Sequence, residues 1–143
     1  MKRSGFKKKQ TKPMKRTTLR KVSKRGGKVA LNKTLWKLFS KFIRERDKYV
    51  CFTCGKKVWP GQAGHYRTGA TCKKYLFYDE RNVHCQCYHC NINLSGHWHE
   101  YQIRMHILYG DGIDHEFDVL NQKDGWDFPY QYWIEHYTNL LSN

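Results

Sequence analysis

"NVHCQCYHCN", residues 82–91, sets an asparagine at each end of a run that holds two histidines and three cysteines. So many metal-ligating side chains in one short run admit three readings: a redox pair, a metal clamp, or one wall of an active site. Cys87 and Cys90 form a Cys-x-x-Cys, and a second one, Cys51 and Cys54, lies upstream, with 32 residues (55–86) between the two pairs. Two such turns can present four thiolates to one tetrahedral ion, with backbone N–H groups of each turn supporting the sulfurs. A redox pair of the thioredoxin kind needs only one such turn and a surrounding βαβ pattern, so the spacing favours a structural Zn²⁺ held by Cys51, Cys54, Cys87 and Cys90. Four protein ligands leave no open position, so this zinc is expected to staple the fold and perform no chemistry. Cys72 and Cys85 are left over and are expected as buried free thiols, with a second metal or oxidation as the alternatives.

The chain has 143 residues, 39% hydrophobic and 15% aromatic, enough for one modest domain with a small core that a staple would help. Its formal charge of +15 is concentrated at one end. Residues 1–44 carry 17 of the 27 Lys and Arg and no acid, whereas the remainder carries 10 basic and 12 acidic side chains. A run such as "MKRSGFKKKQTKPMKRTTLRKVSKRGGK" (1–28) repels itself and has little apolar surface to bury, so it is expected to be a disordered arm. Its natural partner is a polyanion. Nucleic acid fits better than acidic membrane, because the cations lack an interleaved apolar face; a solubilising tail is the bland alternative. No apolar stretch follows the first lysines and none approaches a membrane span, so an intracellular protein without membrane contact is expected. Six cysteines in a reducing compartment then favour metal over three disulfides.

Beyond the arm, "NKTLWKLFSKFIRERDKYV" (32–50) spaces Leu35, Leu38, Phe39, Phe42 and Ile43 as one helical stripe, with Asn32 or Thr34 as N-cap. "CFTCGKKVWPGQAGHYRTG" (51–69) reads as a knuckle, a Pro60-Gly61 turn and a strand reaching His65. "KKYLFYDERNVHCQC" (73–87) reads as an aromatic strand, a polar turn and a second short extended piece. "YHCNINLSGHWHEYQIRMHILYG" (88–110) turns into a helix with Tyr101, Met105 and Leu108 on one face, ended by Gly110. "DFPYQYWIEHYTNLL" (127–141) predicts a last helix, with Pro129 near its first turn and Trp133, Tyr137, Leu140 and Leu141 on its apolar side.

A histidine on a strand (His65 in "AGHY", 63–66), an asparagine on the returning strand (Asn82) and a zinc knuckle that opens a helix resemble the HNH or ββα-metal nuclease superfamily. "CFTCG" (51–55), "AGHYRTG" (63–69), "LFYDERNVHCQCYHCNINLSG" (76–96) and "YQIRMHILYG" (101–110) resemble the phage NinG (Rap) recombination endonucleases over roughly residues 35–120, and "KPMKR" (12–16) in the arm fits as well. The resemblance implies an α+β fold: a small zinc-stapled ββα-metal (HNH-like) core with flanking helices over residues 31–143, preceded by a disordered basic N-terminal arm over 1–30. It also implies Mg²⁺- or Mn²⁺-dependent cleavage of branched or single-stranded-containing DNA made during bacteriophage recombination, Holliday junctions included, in the cytoplasm of a host bacterium.

Hydrolysing a phosphodiester needs a base for water, a cation at the scissile phosphate and positive surface for the backbone. His65 is the candidate base, since a neutral imidazole titrates near working pH; a structural histidine is the alternative. Asn82 would orient the base or fix its loop, or else serve as a turn residue. Asn91 matches the position where related junction nucleases present an oxygen to the cation; an ordinary N-cap is its other reading. Many zinc-knuckle members carry Asp just before the histidine, where this chain has Gly64, so the second ligand must come from elsewhere. His84 shares strand parity with Asn82 and is the first candidate, followed by Asp79, Asn93 and His97; a histidine ligand would favour Mn²⁺. His89, His99, His106, His115 and His136 are expected at the surface or in packing. Arg67 and Arg81, with Lys7, Lys8, Lys9, Lys15 and Arg16 of the arm, are the candidate DNA contacts. A homodimer acting on opposed strands, with the last helix as interface or else as core, and a host recombination protein complete the candidate partners. A zinc-ribbon nucleic-acid-binding protein without catalysis, stacking bases on its aromatics, is the competing function.

Overall fold

Leu35, Phe39 and Ile43 recur every four residues and are fully buried on one side of α1 (Lys24–Arg46), while Leu38 and Phe42 flank them half-buried. The structure, a computed structural model, describes residues 24–143. Helix α1 is already running at Lys24, so neither Asn32 nor Thr34 caps it; Thr34 Oγ1 instead donates to the Ala30 carbonyl at 3.1 Å. Left-handed Lys48 and Tyr49 end the helix and turn the chain into the first cysteine pair. The end of α1 is bolted to the returning strand. Arg46 donates to the carbonyls of Glu80 (2.8 Å) and Val83 (2.9 Å), and Asp47 accepts the Cys85 N–H at 2.6 Å.

Strand β1 (Gln62–His65) pairs antiparallel with β2 (Val83–Gln86), with Gln62 opposite Gln86, Gly64 opposite His84 and His65 opposite Val83. Facing residues of an antiparallel pair share a side of the sheet. His65 and Val83 therefore look toward α1, while Gly64, His84, Gln62 and Gln86 look toward α3 (Trp98–Tyr109), whose Tyr101 hydroxyl donates to the Gly64 carbonyl at 2.9 Å.

Between the strands, "KYLF" forms one helical turn, α2 (Lys74–Phe77), rather than the expected strand. In a strand Leu76 and Tyr78 would share a face. Here Leu76 joins the core with Tyr66, Tyr101, Met105, Ile113 and Phe117, and Tyr78 joins the opposite one with Leu35, Phe39, Val83 and Tyr137, a divergence that only a helical turn provides. Helix α4 (Ile113–Leu120) lies in the four-acid stretch after Gly110, where no element is expected from the sequence; Ile113 and Phe117, four apart, anchor it in the Tyr66 core. Helix α5 (Tyr130–Leu140) follows Pro129 and buries Tyr137 against Phe39 and Phe42 of α1. Two apolar expectations fail at the surface: Leu108 is 56% and Leu140 45% exposed, because Tyr101 with Met105 and Tyr130 with Tyr137 already fill the respective contacts. No described helix is long and apolar enough to cross a membrane.

Candidate metal centre and adjoining cleft

The two Cys-x-x-Cys turns meet. The sulfurs of Cys51, Cys54, Cys87 and Cys90 all lie within 4.8 Å of one another, the one such cluster among the described residues. Cys54 Sγ and Cys87 Sγ are 3.9 Å apart, close to the separation of about 3.8 Å that a tetrahedron of zinc–sulfur bonds of about 2.3 Å requires. Each turn is built for it. Gly55, at φ 72°, donates its N–H to the Cys51 carbonyl, and the Cys90 N–H donates to Cys87 Sγ at 3.3 Å. Burial pushes the Cys51 thiol up, but hydrogen bonds from Thr53 and nearby backbone amides draw it down to about 6, whereas burial, with Cys87 and Cys54 alongside, pushes Cys90 up to about 12. Four clustered sulfurs cannot all ionise unaided, and a divalent ion supplies the missing charge, so the set fits zinc. His97 Nδ1 sits 3.6 Å from Cys90 Sγ, placed to donate to a bound thiolate rather than to join another centre.

Beside the clamp is a cleft of about 260 Å³ lined by Gly64, His65, Thr68, Gly69, Asn91 and Ser95, among others. It brings His65 and Asn91 together. His65 stacks on Trp36 (centroids 5.3 Å apart) and its Nε2 is 3.0 Å from the Phe77 carbonyl. A carbonyl only accepts, so Nε2–H donates and the lone pair of the neutral ring sits on Nδ1. Burial lowers the pKa of His65 from its ordinary value, against the smaller opposing pull of the Phe77 carbonyl. Asn82 is fully buried beneath this loop: its Oδ1 accepts the Arg67 N–H at 2.8 Å, and its Nδ2 donates to the Leu76 carbonyl at 3.1 Å. The amide thus ties the residues after His65 to the turn whose next carbonyl, Phe77, orients the imidazole.

On the α3 side of the strands, two carboxamides, of which Asn91 lines the cleft and Gln86 lies buried behind it, are each fixed by their NH₂ groups. Asn91 Nδ2 donates to Gln62 Oε1 at 2.8 Å, and Gln86 Nε2 donates to the Gly96 carbonyl (2.9 Å) and to Thr53 Oγ1 (3.2 Å). Their oxygens converge over Gly64: a Cβ there would lie 2.1 Å from Gln86 Oε1 and 2.9 Å from Asn91 Oδ1. Gln86 Oε1 is buried and has no hydrogen-bond partner. The space that an acidic side chain at position 64 would enter is therefore already taken by two amide oxygens. An orphaned carbonyl oxygen beside a second one suits a hard divalent cation. Gln86 is not among the residues that the sequence singles out; its alternation with His84 along β2, opposite Gln62, is the available signal.

The other candidates are elsewhere. His84 is held between the hydroxyls of Tyr101 (3.1 Å) and Tyr109 (3.2 Å) on the α3 side, and burial, reinforced by Arg46, lowers its pKa to about 3. Asp79 caps the turn at Arg81, and Asn93 faces the exposed His89. None of these, nor His97, lines the cleft. Arg81 is ion-paired to Asp79 and Glu116, and Arg67 to Asp114 and Asp118. His106 bridges Asp111 and Asp114, His136 packs beside Trp133, and His99 and His115 are exposed. Cys72, half-buried, donates to the Arg67 carbonyl at 3.3 Å, and burial pushes the pKa of the buried Cys85 up to about 11; both are free thiols. Lys7, Lys8, Lys9, Lys15 and Arg16 lie outside the described residues.

These features define a small α+β protein with a four-cysteine metal clamp next to a histidine- and asparagine-lined cleft. Over residues 1–139 the chain matches the family described as Bacteriophage Lambda NinG protein, and it belongs to that family. Over 89 residues it is 37% identical to "Protein ninG" of Escherichia phage 933W and of Salmonella phage P22, and 36% identical to that of Escherichia phage lambda. The aligned stretch is 59% of this chain but only 42–43% of each relative, so the chain spans less than half of their length. No solved structure matches.

Proposed function

We propose that this protein is a metal-dependent, structure-selective DNA endonuclease of the HNH type, acting on branched recombination intermediates such as Holliday junctions. The observation that carries the proposal is the pairing, in one cleft, of a neutral His65 with a free Nδ1 lone pair and Asn91, whose fixed Oδ1 meets the buried, unpartnered Gln86 Oε1 over Gly64 behind the cleft wall. His65 Nδ1 takes a proton from water, the resulting hydroxide attacks phosphorus, and the bond from phosphorus to the 3′ oxygen breaks; the leaving oxygen collects a proton from solvent. Such a base contributes about 10²- to 10⁴-fold. Asn91 and Gln86 would hold Mg²⁺ or Mn²⁺, which when bound neutralises charge building on the phosphate and the leaving oxygen. Both donors are oxygens, which suits Mg²⁺ as well as Mn²⁺. Asn82 is a positioning residue, acting through the Leu76–Phe77 carbonyls. The basic N-terminal stretch supplies sequence-independent attraction to phosphates, as branched substrates with no common sequence require.

The test is incubation of zinc-loaded protein with a labelled four-way junction and with a linear duplex, in Mg²⁺, in Mn²⁺ and with neither. Junction cleavage that needs the added cation supports the proposal. Binding of both DNAs without any cleavage would overturn it in favour of a zinc-bearing binding module.

A further inference from the structure

Trp59 and Tyr88 are 78% and 61% exposed and lie together, so they form a patch of ring surface rather than isolated exposed side chains. They are not scattered. Both line one cavity of about 530 Å³, together with Lys57, Pro60, Gln62 and Cys87. The Trp59 ring is anchored from behind, resting on Tyr49 with centroids 4.4 Å apart, and Tyr88 lies in the chain between clamp residues Cys87 and Cys90. Lys57, among the residues lining it, is exposed.

We propose that this cavity receives an unpaired nucleobase of the DNA substrate, stacked against Trp59 and Tyr88; the assignment rests on the reading of the neighbouring cleft as the cleavage site. Two features favour a base over other occupants. Gln62 lines this cavity and also accepts the Asn91 amide of the cleft, so one hydrogen bond joins the walls of the two sites, and the three-residue reach from Trp59 to Gln62 spans at most about 11 Å. Lys57 lines the same cavity as the two rings, giving the combination of aromatic and cation used for single strands. Fully paired DNA keeps its bases stacked and cannot fill the cavity, whereas a branch point offers frayed ones.

The experiment is equilibrium binding of the zinc-loaded full chain, without added Mg²⁺ or Mn²⁺, to a flapped duplex carrying 2-aminopurine at the branch and to a fully paired duplex of equal length. The parent should bind the flapped DNA more tightly and quench the probe. Trp59→Ala should weaken flapped-DNA binding about tenfold and lose quenching while leaving the paired duplex unchanged, and Trp59→Phe should recover most of both. Equal weakening on both DNAs, or none on either, would overturn the base site; in the second case the patch is left to a protein partner. Because no cleavage is read, a protein that shows this preference yet cuts nothing keeps the base site and loses the nuclease, and one that cuts without it does the reverse.

Discussion

His65 titrates in the sense that a base needs. Burial disfavours the imidazolium, so its folded pKa lies below the ordinary 6.5 and the ring is neutral throughout the physiological range. The rate of junction cleavage should therefore rise with pH along a limb with its midpoint below 6.5 and be level above it, as read from kcat/KM at fixed free Mg²⁺. A limb centred above pH 7 would contradict this assignment. His84 shows the opposite use of the same residue type: both ring nitrogens are spent on tyrosine hydroxyls, and it does not line the cleft. The sequence admits His84 to the site because parity with Asn82 is the only guide. Parity does not reveal that Asn82 turns inward to bond backbone, nor that Asn91 approaches Gly64 from the helix side. The cysteine pairs are legible because their spacing encodes the geometry directly, whereas Gln86 is hidden because a buried strand glutamine has no motif.

At the scale of elements, α1, the hairpin of β1 and β2, α3 and α5 are readable from apolar periodicity and turn residues. Helix α2 is not, since aromatic density mimics a strand, and α4 is masked by its acids, of which Glu116 and Asp118 are exposed and Asp114 turns in to accept from Tyr66. The joint between α2 and β2 is where the site is most exposed to mutation. Asn82→Ala removes the partner of the Arg67 N–H, while the Leu76 carbonyl keeps the Asp79 N–H at 3.2 Å. A buried group left unpaired costs about 1–3 kcal/mol, so a loss of about that size is expected in urea unfolding of the zinc-loaded protein. Because the Phe77 carbonyl shifts with the loop, kcat should fall further than DNA affinity does. A drop in affinity alone would mean that Asn82 merely supports the fold.

Across the whole molecule, charge and chemistry are separated along the chain. Residues 1–23 hold ten Lys and Arg and no acid, while Arg67 and Arg81, the arginines of the folded part singled out as DNA contacts, are ion-paired to carboxylates. Affinity for DNA should therefore come mainly from the N-terminal stretch. Deleting residues 1–23 should weaken junction binding and flatten its dependence on salt, the logarithmic slope falling by about 0.9 for each phosphate no longer neutralised, with zinc content unchanged. An unaltered salt slope would assign binding to the folded part instead. The charge asymmetry is plain in the sequence, but the two separate cores, one on each side of the hairpin, that fix the cleft between α1 and the clamp are not.

If DNA is hydrolysed in the cleft at His65, as proposed, single-turnover cleavage of a labelled four-way junction will separate the parent from His65→Ala. The variant should keep its zinc and its junction affinity and cut at least about 10²-fold more slowly. A variant that cuts at the parent's rate, with zinc and affinity intact, would place the chemistry elsewhere in the protein.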